Sequence, residues 1–205
     1  MMDLFLKIVL VALSSYSIGS IPSSFIMGKL LRKIDLREHG SGNLGAANTF
    51  RVLGFKAALP VLLFDIGKGF VAVRFLSKLG GPGIGFALLA ALLVVIGHNY
   101  SVFVRFSGGK GVGATAGAFL ALAPQALGMC VTLWILTLLA TRIVSIASMA
   151  SAAFLPFSIP LANRVLGANV HYSVTILAVA AAAVVFVKHA SNIKRLREGT
   201  EKKIF

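Results

Sequence analysis

Long apolar runs alternate along this chain with short polar stretches rich in glycine. Apolar segments cover residues 4–31, 53–77, 84–96, 112–123, 125–139, 143–161 and 172–187, and each predicts a membrane helix. Several fall short of the roughly 20 residues a lone crossing needs, which a bundle interior or a thinned bilayer accommodates. Gly19 and Pro22 bend the first segment near its middle, and Asp65 and Lys68 interrupt the second. Pro124 either separates two short helices or kinks a single one over residues 112–139.

The polar stretches 32–52, 97–111 and 188–205 share Gly, Ser, Asn, Lys and Arg. If they cooperate they lie on one face of the membrane. Seven spans bring all three to one face, whereas six strand the tail on the other. The expected fold is therefore an all-α integral membrane protein of seven transmembrane helices, several of them short. Its N-terminus lies outside and its C-terminus inside, and residues 1–205 form one domain.

Composition supports the membrane reading. Of 205 residues 58% are hydrophobic and 13% charged, with mean hydropathy +0.92; soluble domains are about half apolar and a quarter charged. A net charge of +14 would suggest nucleic acid in a soluble chain. Here the bases flank apolar runs. Under the seven-span layout only Lys7, Arg74, Lys78 and Arg164 fall opposite the three polar stretches, so the positive-inside rule puts those stretches in the cytoplasm. The single cysteine, Cys130, excludes an intrachain disulfide. The first segment continues past Ser20 to Leu31 without a small-residue cleavage site and reads as a membrane helix, not a signal peptide.

Candidate chemistry concentrates in the polar stretches. GHNYSVFVRFSGGKGVGATAG (97–117) sets Lys110 among five glycines between Gly108 and Gly117, ahead of an apolar helix. Without Cβ atoms, backbone N–H groups can converge on an anion that the helix N-terminus also favours. It is no P-loop, because Gly111 stands where Ser or Thr is required. Ser107 could cap the turn or touch a ligand; His98 could act as a base, orient a neighbour, or bond a backbone carbonyl. In HGSGNLGAANTFRVLG (39–54), Ser41, Asn43 and Asn48 offer hydroxyl and amide groups, while Gly40, Gly42 and Gly45 permit tight turns. From about Gly45 the pattern turns helical, with Asn48 and Arg51 on one face. Arg51 suits a bidentate phosphate contact, or simply snorkels. Asp65 and Lys68, at i, i+3, form an internal pair, or Lys68 reaches the anion site. In the tail, His189, Asn192 and Arg195 recur every three residues on one helix face. His171 reads as structural.

Other chemistries are missing from the sequence. There is no GxSxG, CxxC or HExxH, and the His-x4-Asp pattern fails at all four histidines. Six acids leave little for paired-carboxylate work. Without a nucleophile–base pair, catalysis would rest on positioning and charge stabilisation, or on an activated donor.

The segments GSGNLGAANTFRVLG, GHNYSVFVRFSGGKGVGATAG and KHASNIKRLREGTE, together with GSIPSS (19–24) and DIGKG (65–69), resemble the bacterial acyl-phosphate:glycerol-3-phosphate acyltransferases, the PlsY family. The resemblance implies a bacterial inner-membrane enzyme with its active site facing the cytoplasm. It would move a fatty acyl group from acyl phosphate to the 1-hydroxyl of glycerol 3-phosphate, giving lysophosphatidic acid and phosphate, the first step of bacterial phospholipid synthesis. Its partners would be those two substrates and membrane lipid; no cofactor, metal or nucleic acid is expected. It implies catalytic roles for Ser41, Arg51, Lys110, His189 and Asn192. Substrate contacts would come from Gly42, Asn43, Gly45, Asn48, Lys68, His98, Ser107, Gly108, Gly109, Gly111 and Arg195. A transporter of organic phosphates and a lipid-bound scaffold are the competing classes; the first predicts flux without chemistry, the second indifference to changes in the polar loops.

Overall fold

The computed structural model describes residues 3–204, and among these it is all-helical, without strands. Large apolar side chains such as Phe5, Leu13, Leu63, Leu136 and Ile176 point outward, as lipid-facing helices require. The chain is an integral membrane protein. It divides between Ala121 and Leu122 into two compact units.

The first unit opens with α1 (Leu4–Ser20) and α2 (Ser23–Arg32), separated where Ile21 and Pro22 leave helical geometry. Pro22 cannot donate to the helical ladder, so the predicted bend is a break. Next come α3 (Ala46–Leu53) and α4 (Phe55–Arg74), divided by Gly54 at φ +82°. A 3₁₀ turn (Leu76–Gly80), α5 (Ile84–Asn99), a second 3₁₀ turn (Val102–Val104) and α6 (Val112–Leu122) follow.

Glycine pairs set how closely these helices approach. A Cβ on Gly19 would strike the Val94 carbonyl, and one on Gly97 the Tyr16 carbonyl, so α1 and α5 meet backbone to backbone. The same reciprocity joins α4 to α6: Gly69 lies against the Ala114 carbonyl and Gly117 against that of Ile66. Small-residue contacts of this kind suit lipid, where burial gives no net drive to associate.

The second unit contains α7 (Pro124–Thr141), α8 (Val144–Leu166), α9 (Tyr172–Lys188) and α10 (Ala190–Arg197). Pro124 occupies the first helical position of α7, where its missing N–H costs nothing, and Ala123 before it leaves helical geometry. Residues 112–139 are thus two helices. Asn163 clasps Val170 through both amide groups, at 2.9 and 2.8 Å, closing the α8–α9 loop. His171 caps α9 by accepting from the Ser173 N–H, so its structural reading holds.

All seven apolar segments are therefore helical. Among the described residues four helical stretches, Leu4–Arg32, Ile84–Val104, Pro124–Thr141 and Val144–Leu166, are long and apolar enough to cross a membrane alone, or five if α9 and α10, bent by 56°, make one span. α4 falls outside that set because it carries Lys56, Asp65, Lys68 and Arg74, and α6 because it has only 11 residues.

Candidate active site

The loop between α2 and α3 is built around Asn48. Its Nδ2 donates to the carbonyls of Leu36 (3.1 Å) and His39 (3.0 Å), and its Oδ1 accepts from the Ser41 N–H (2.7 Å). Both amide protons are thereby spent on the backbone, so Asn48, expected at the substrate, shapes the loop that presents Ser41. Gly42, at φ +70°, passes so close to the Arg37 carbonyl that a side chain would clash. Ser24 and Thr49 share a hydroxyl hydrogen bond (2.7 Å) that pins α3 to α2 and so fixes the helix bearing Arg51. Upstream, Arg37 donates from Nε and a terminal nitrogen to Asp35 (3.1 and 2.6 Å). Its side-chain hydrogen bond holds the Asp35 carboxyl down at about 2 despite partial burial. Arg37 also reaches the Val104 carbonyl (3.3 Å), tying this loop to the turn before the glycine stretch.

That glycine stretch sits on the C-terminal end of α5. The Gly109 N–H donates to the His98 carbonyl at 3.0 Å, and the Gly109 Cα lies against His98 Nε2 and the Leu44 carbonyl. Gly108 packs on the His98 carbonyl, and Gly111, at φ +81°, on the Asn99 side chain. The amide of Gly109 is consumed by this seat, so what Gly109 contributes is its lack of a side chain; Gly108, Lys110 and Gly111 retain the candidate anion-binding role. Just upstream, Arg105 and Phe106 are both left-handed (φ 56° and 59°), a strained pair of the kind found at functional loops. Ser101 anchors the start of the stretch by donating to the Ser20 carbonyl.

A narrow cleft opens beside this seat. Its walls are the α1–α2 break (Ser20 to Ser23), Leu44, Lys68, His98, Ser101, Gly108 and Gly109. Four of the expected substrate residues, Lys68, His98, Gly108 and Gly109, therefore share one cleft, and Leu44 brings the first polar loop to it. Lys68 does not enter as a bare cation. Its ammonium is bound by Asp65 (2.8 Å) and the Ile21 carbonyl (3.1 Å). Ser41, Gly42, Asn43, Gly45, Arg51, Ser107, Lys110 and Gly111 belong to the two loops and α3 but do not line the cleft.

The second unit holds a polar cluster of its own, centred on Glu201. Its Oε1 accepts from Ser145 Oγ (2.9 Å) and Asn192 Nδ2 (2.6 Å), and its Oε2 from Arg195 Nε (2.6 Å). Burial pushes this carboxyl up, but the hydrogen bonds from Arg195, Asn192 and Ser145 together hold it below its usual range. His189 stands where α9 meets α10. Its Nδ1 faces the Val185 carbonyl (2.7 Å), which can only accept, so Nδ1 carries a proton and the ring is held at the bend. Asn192 and Arg195 do share a face, as their spacing predicts. Glu201, which organises them, is not among the residues the tail's spacing singles out; the one acid that follows Gly199-Thr200 is the signal the sequence offers. Ser23 was missed likewise, although Ser20 to Ser24 belongs to a quoted motif. Among the described residues no group of three or more His, Cys, Asp and Glu could hold a metal.

Comparison with known proteins gives one answer throughout. The model of the family described as glycerol-3-phosphate acyltransferase matches residues 9–199. A glycerol-3-phosphate acyltransferase 2 of Moorella thermoacetica is 41% identical over 190 residues, 93% of this chain and 94% of its own. The glycerol-3-phosphate acyltransferase of Enterococcus faecalis is 38% identical over 206 residues, covering 97% and 93%. The crystal structure of PlsY (YgiH), an integral membrane glycerol 3-phosphate acyltransferase, in its glycerol 3-phosphate form superposes with TM-score 0.84 at 33% identity, over 96% of this chain and 94% of that one. Its lysophosphatidic acid form gives 0.83 at 30%.

Proposed function

The chain belongs to the glycerol-3-phosphate acyltransferase family, and from that premise we propose that it takes its acyl group from acyl phosphate and delivers it to the 1-hydroxyl of glycerol 3-phosphate. The hydroxyl oxygen attacks the acyl carbonyl carbon and the carbon–oxygen bond to phosphate breaks. Lysophosphatidic acid and inorganic phosphate result, and the hydroxyl proton ends on the departing phosphate. A mixed anhydride has a good leaving group, so charge stabilisation can carry most of the catalysis.

One observation supports this most: the glycine stretch is held open on His98 and Asn99 beside a cleft that also meets the first polar loop. Backbone amides of Gly108, Lys110 and Gly111, with the N-terminus of α6 behind them, suit a phosphate or the charge developing on one. Arg51 and Lys110, with Ser41 and Asn43, are the residues we assign to the phosphate groups. In the second unit the candidates are His189, Asn192 and Arg195. The distribution of bases supports seven spans with the N-terminus outside, the C-terminus inside and the site facing the cytoplasm of a bacterial inner membrane. The family match from residue 9 to 199 supports one functional domain.

Purified protein in detergent, given acyl phosphate and glycerol 3-phosphate, should release phosphate and form lysophosphatidic acid in equal amounts. Arg51→Ala and Lys110→Ala should each lower turnover by about 10³-fold, of order 4 kcal/mol in the barrier, while eluting as folded, monodisperse protein. Normal rates in either variant, or turnover only with a thioester donor, would defeat the assignment.

A further inference from the structure

Asp65, only 3% exposed, lies midway along α4. Its Oδ1 accepts from Ser23 Oγ (2.8 Å) and Lys68 Nζ (2.8 Å) and stands 3.5 Å from His98 Nδ1. Lys68 sends its second bond to the Ile21 carbonyl at the α1–α2 break. One carboxylate thus joins the start of α2, the middle of α4 and the end of α5. The far edge of the same imidazole, Nε2, supports the Gly109 Cα, and the His98 carbonyl holds the Gly109 N–H.

We propose that Asp65 is the positioning residue of the glycine stretch: by holding Lys68 and the His98 ring it sets where Gly108 and Gly109 lie, and hence how tightly this loop holds a phosphate group. This deepens the function proposed above and rests on its placing of phosphate at the glycine stretch. The path is short. If Asp65 loses its grip, the ring can turn about its own axis, and the floor under Gly109 moves with it. Lys68 takes part through its bonds, because its charge is matched locally by Asp65 and does not project as a lone cation.

Asp65→Asn alone leaves a buried ammonium without its counter-charge and invites misfolding, so the informative variant is the double change Asp65→Asn with Lys68→Met, which removes both charges together. The probe is inorganic phosphate, added to the purified full chain in detergent and read as thermal stabilisation and as product inhibition. Phosphate should stabilise the wild type. The double variant, still monodisperse, should need about ten-fold more phosphate for the same effect and show a rise in KM for glycerol 3-phosphate larger than its fall in kcat. A second pair of variants keeps the outcome decisive. His98→Asn retains a donor near the Nδ1 position, facing Asp65, and His98→Gln retains one near Nε2. Asn should restore most of the phosphate affinity lost in His98→Ala, and Gln should not. An unchanged phosphate response in the double variant, rescue by Gln in place of Asn, or a wild type that phosphate does not stabilise overturns the proposal. Phosphate binding needs no acyl donor. An Asp65-dependent response in a protein that does not turn over acyl phosphate would therefore defeat the donor assignment and leave this inference standing.

Discussion

Each unit of the molecule is organised around one buried carboxylate, and the two are built in opposite ways. Asp65 lies inside α4 and finds Lys68 one turn along the same helix. Glu201 lies in irregular chain after α10 and gathers Ser145, 56 residues away, with Asn192 and Arg195. The first hub is charge-balanced at the moment its helix forms, and Ser23 and His98 join it afterwards. The second exists only once the tail has folded back. Ordering a charged side chain at depth costs about 2.5–3.5 kcal/mol on insertion scales, so an i, i+3 counter-charge is the economical solution within a span. An irregular segment is free of helical spacing and can recruit partners from anywhere in its unit.

The contrast can be broken most severely at the glycine seat above the first hub. Gly109→Ala would place a methyl group against His98 Nε2 and the Leu44 carbonyl, with backbone on one side and a held ring on the other. Turnover should fall by 10²-fold or more, of order 3 kcal/mol, with little change in melting temperature. Retained activity would mean the seat is pliable. Next is Glu201→Gln, which keeps the shape and removes the charge. Because the folded carboxyl lies below its unfolded value of about 4.3, its stabilising contribution is present above that value and is lost as pH falls through the folded one. In the wild type, the protection of tail amides relative to their unfolded exchange rates should therefore fall on acidification from about pH 5 downward. In the Gln variant that protection should be low already at pH 7 and insensitive to acid. The mildest change is Ser23→Ala, which removes one neutral donor from Asp65 while Lys68 remains. A loss of about 1 kcal/mol in stability is expected, measurable by thermal unfolding in detergent. A loss several times larger would mean that the first hub depends on long-range partners as much as the second does.

The same contrast explains what could be read from the sequence. Helices followed from hydropathy, and Asp65–Lys68 from spacing, because both are local. Pro124 stands at the start of a helix and not at a kink, as its tolerance at the first helical position allows. The glycine stretch was identifiable as a loop for anions, but that Gly109 surrenders its amide to His98 depends on where α5 ends. The amide of Asn48 suits a ligand or a loop, and the positions of Leu36 and His39, whose carbonyls accept both its amide protons, are not legible in the sequence. Glu201 was invisible for the same reason. Its partners are set by tertiary folding, and the basic composition around it drew attention to charge in bulk.

Where α1 meets α5 at Gly19 and Gly97, main chain rests on main chain with nothing compressible between. Most helices ride on side chains that can repack, so neighbours slide past one another as cargo comes and goes. Here the separation is fixed by bond lengths and angles. The lower end of α5, from which the glycine stretch hangs, thus behaves as a survey mark, and whatever adjusts as reactants arrive must do so beyond it.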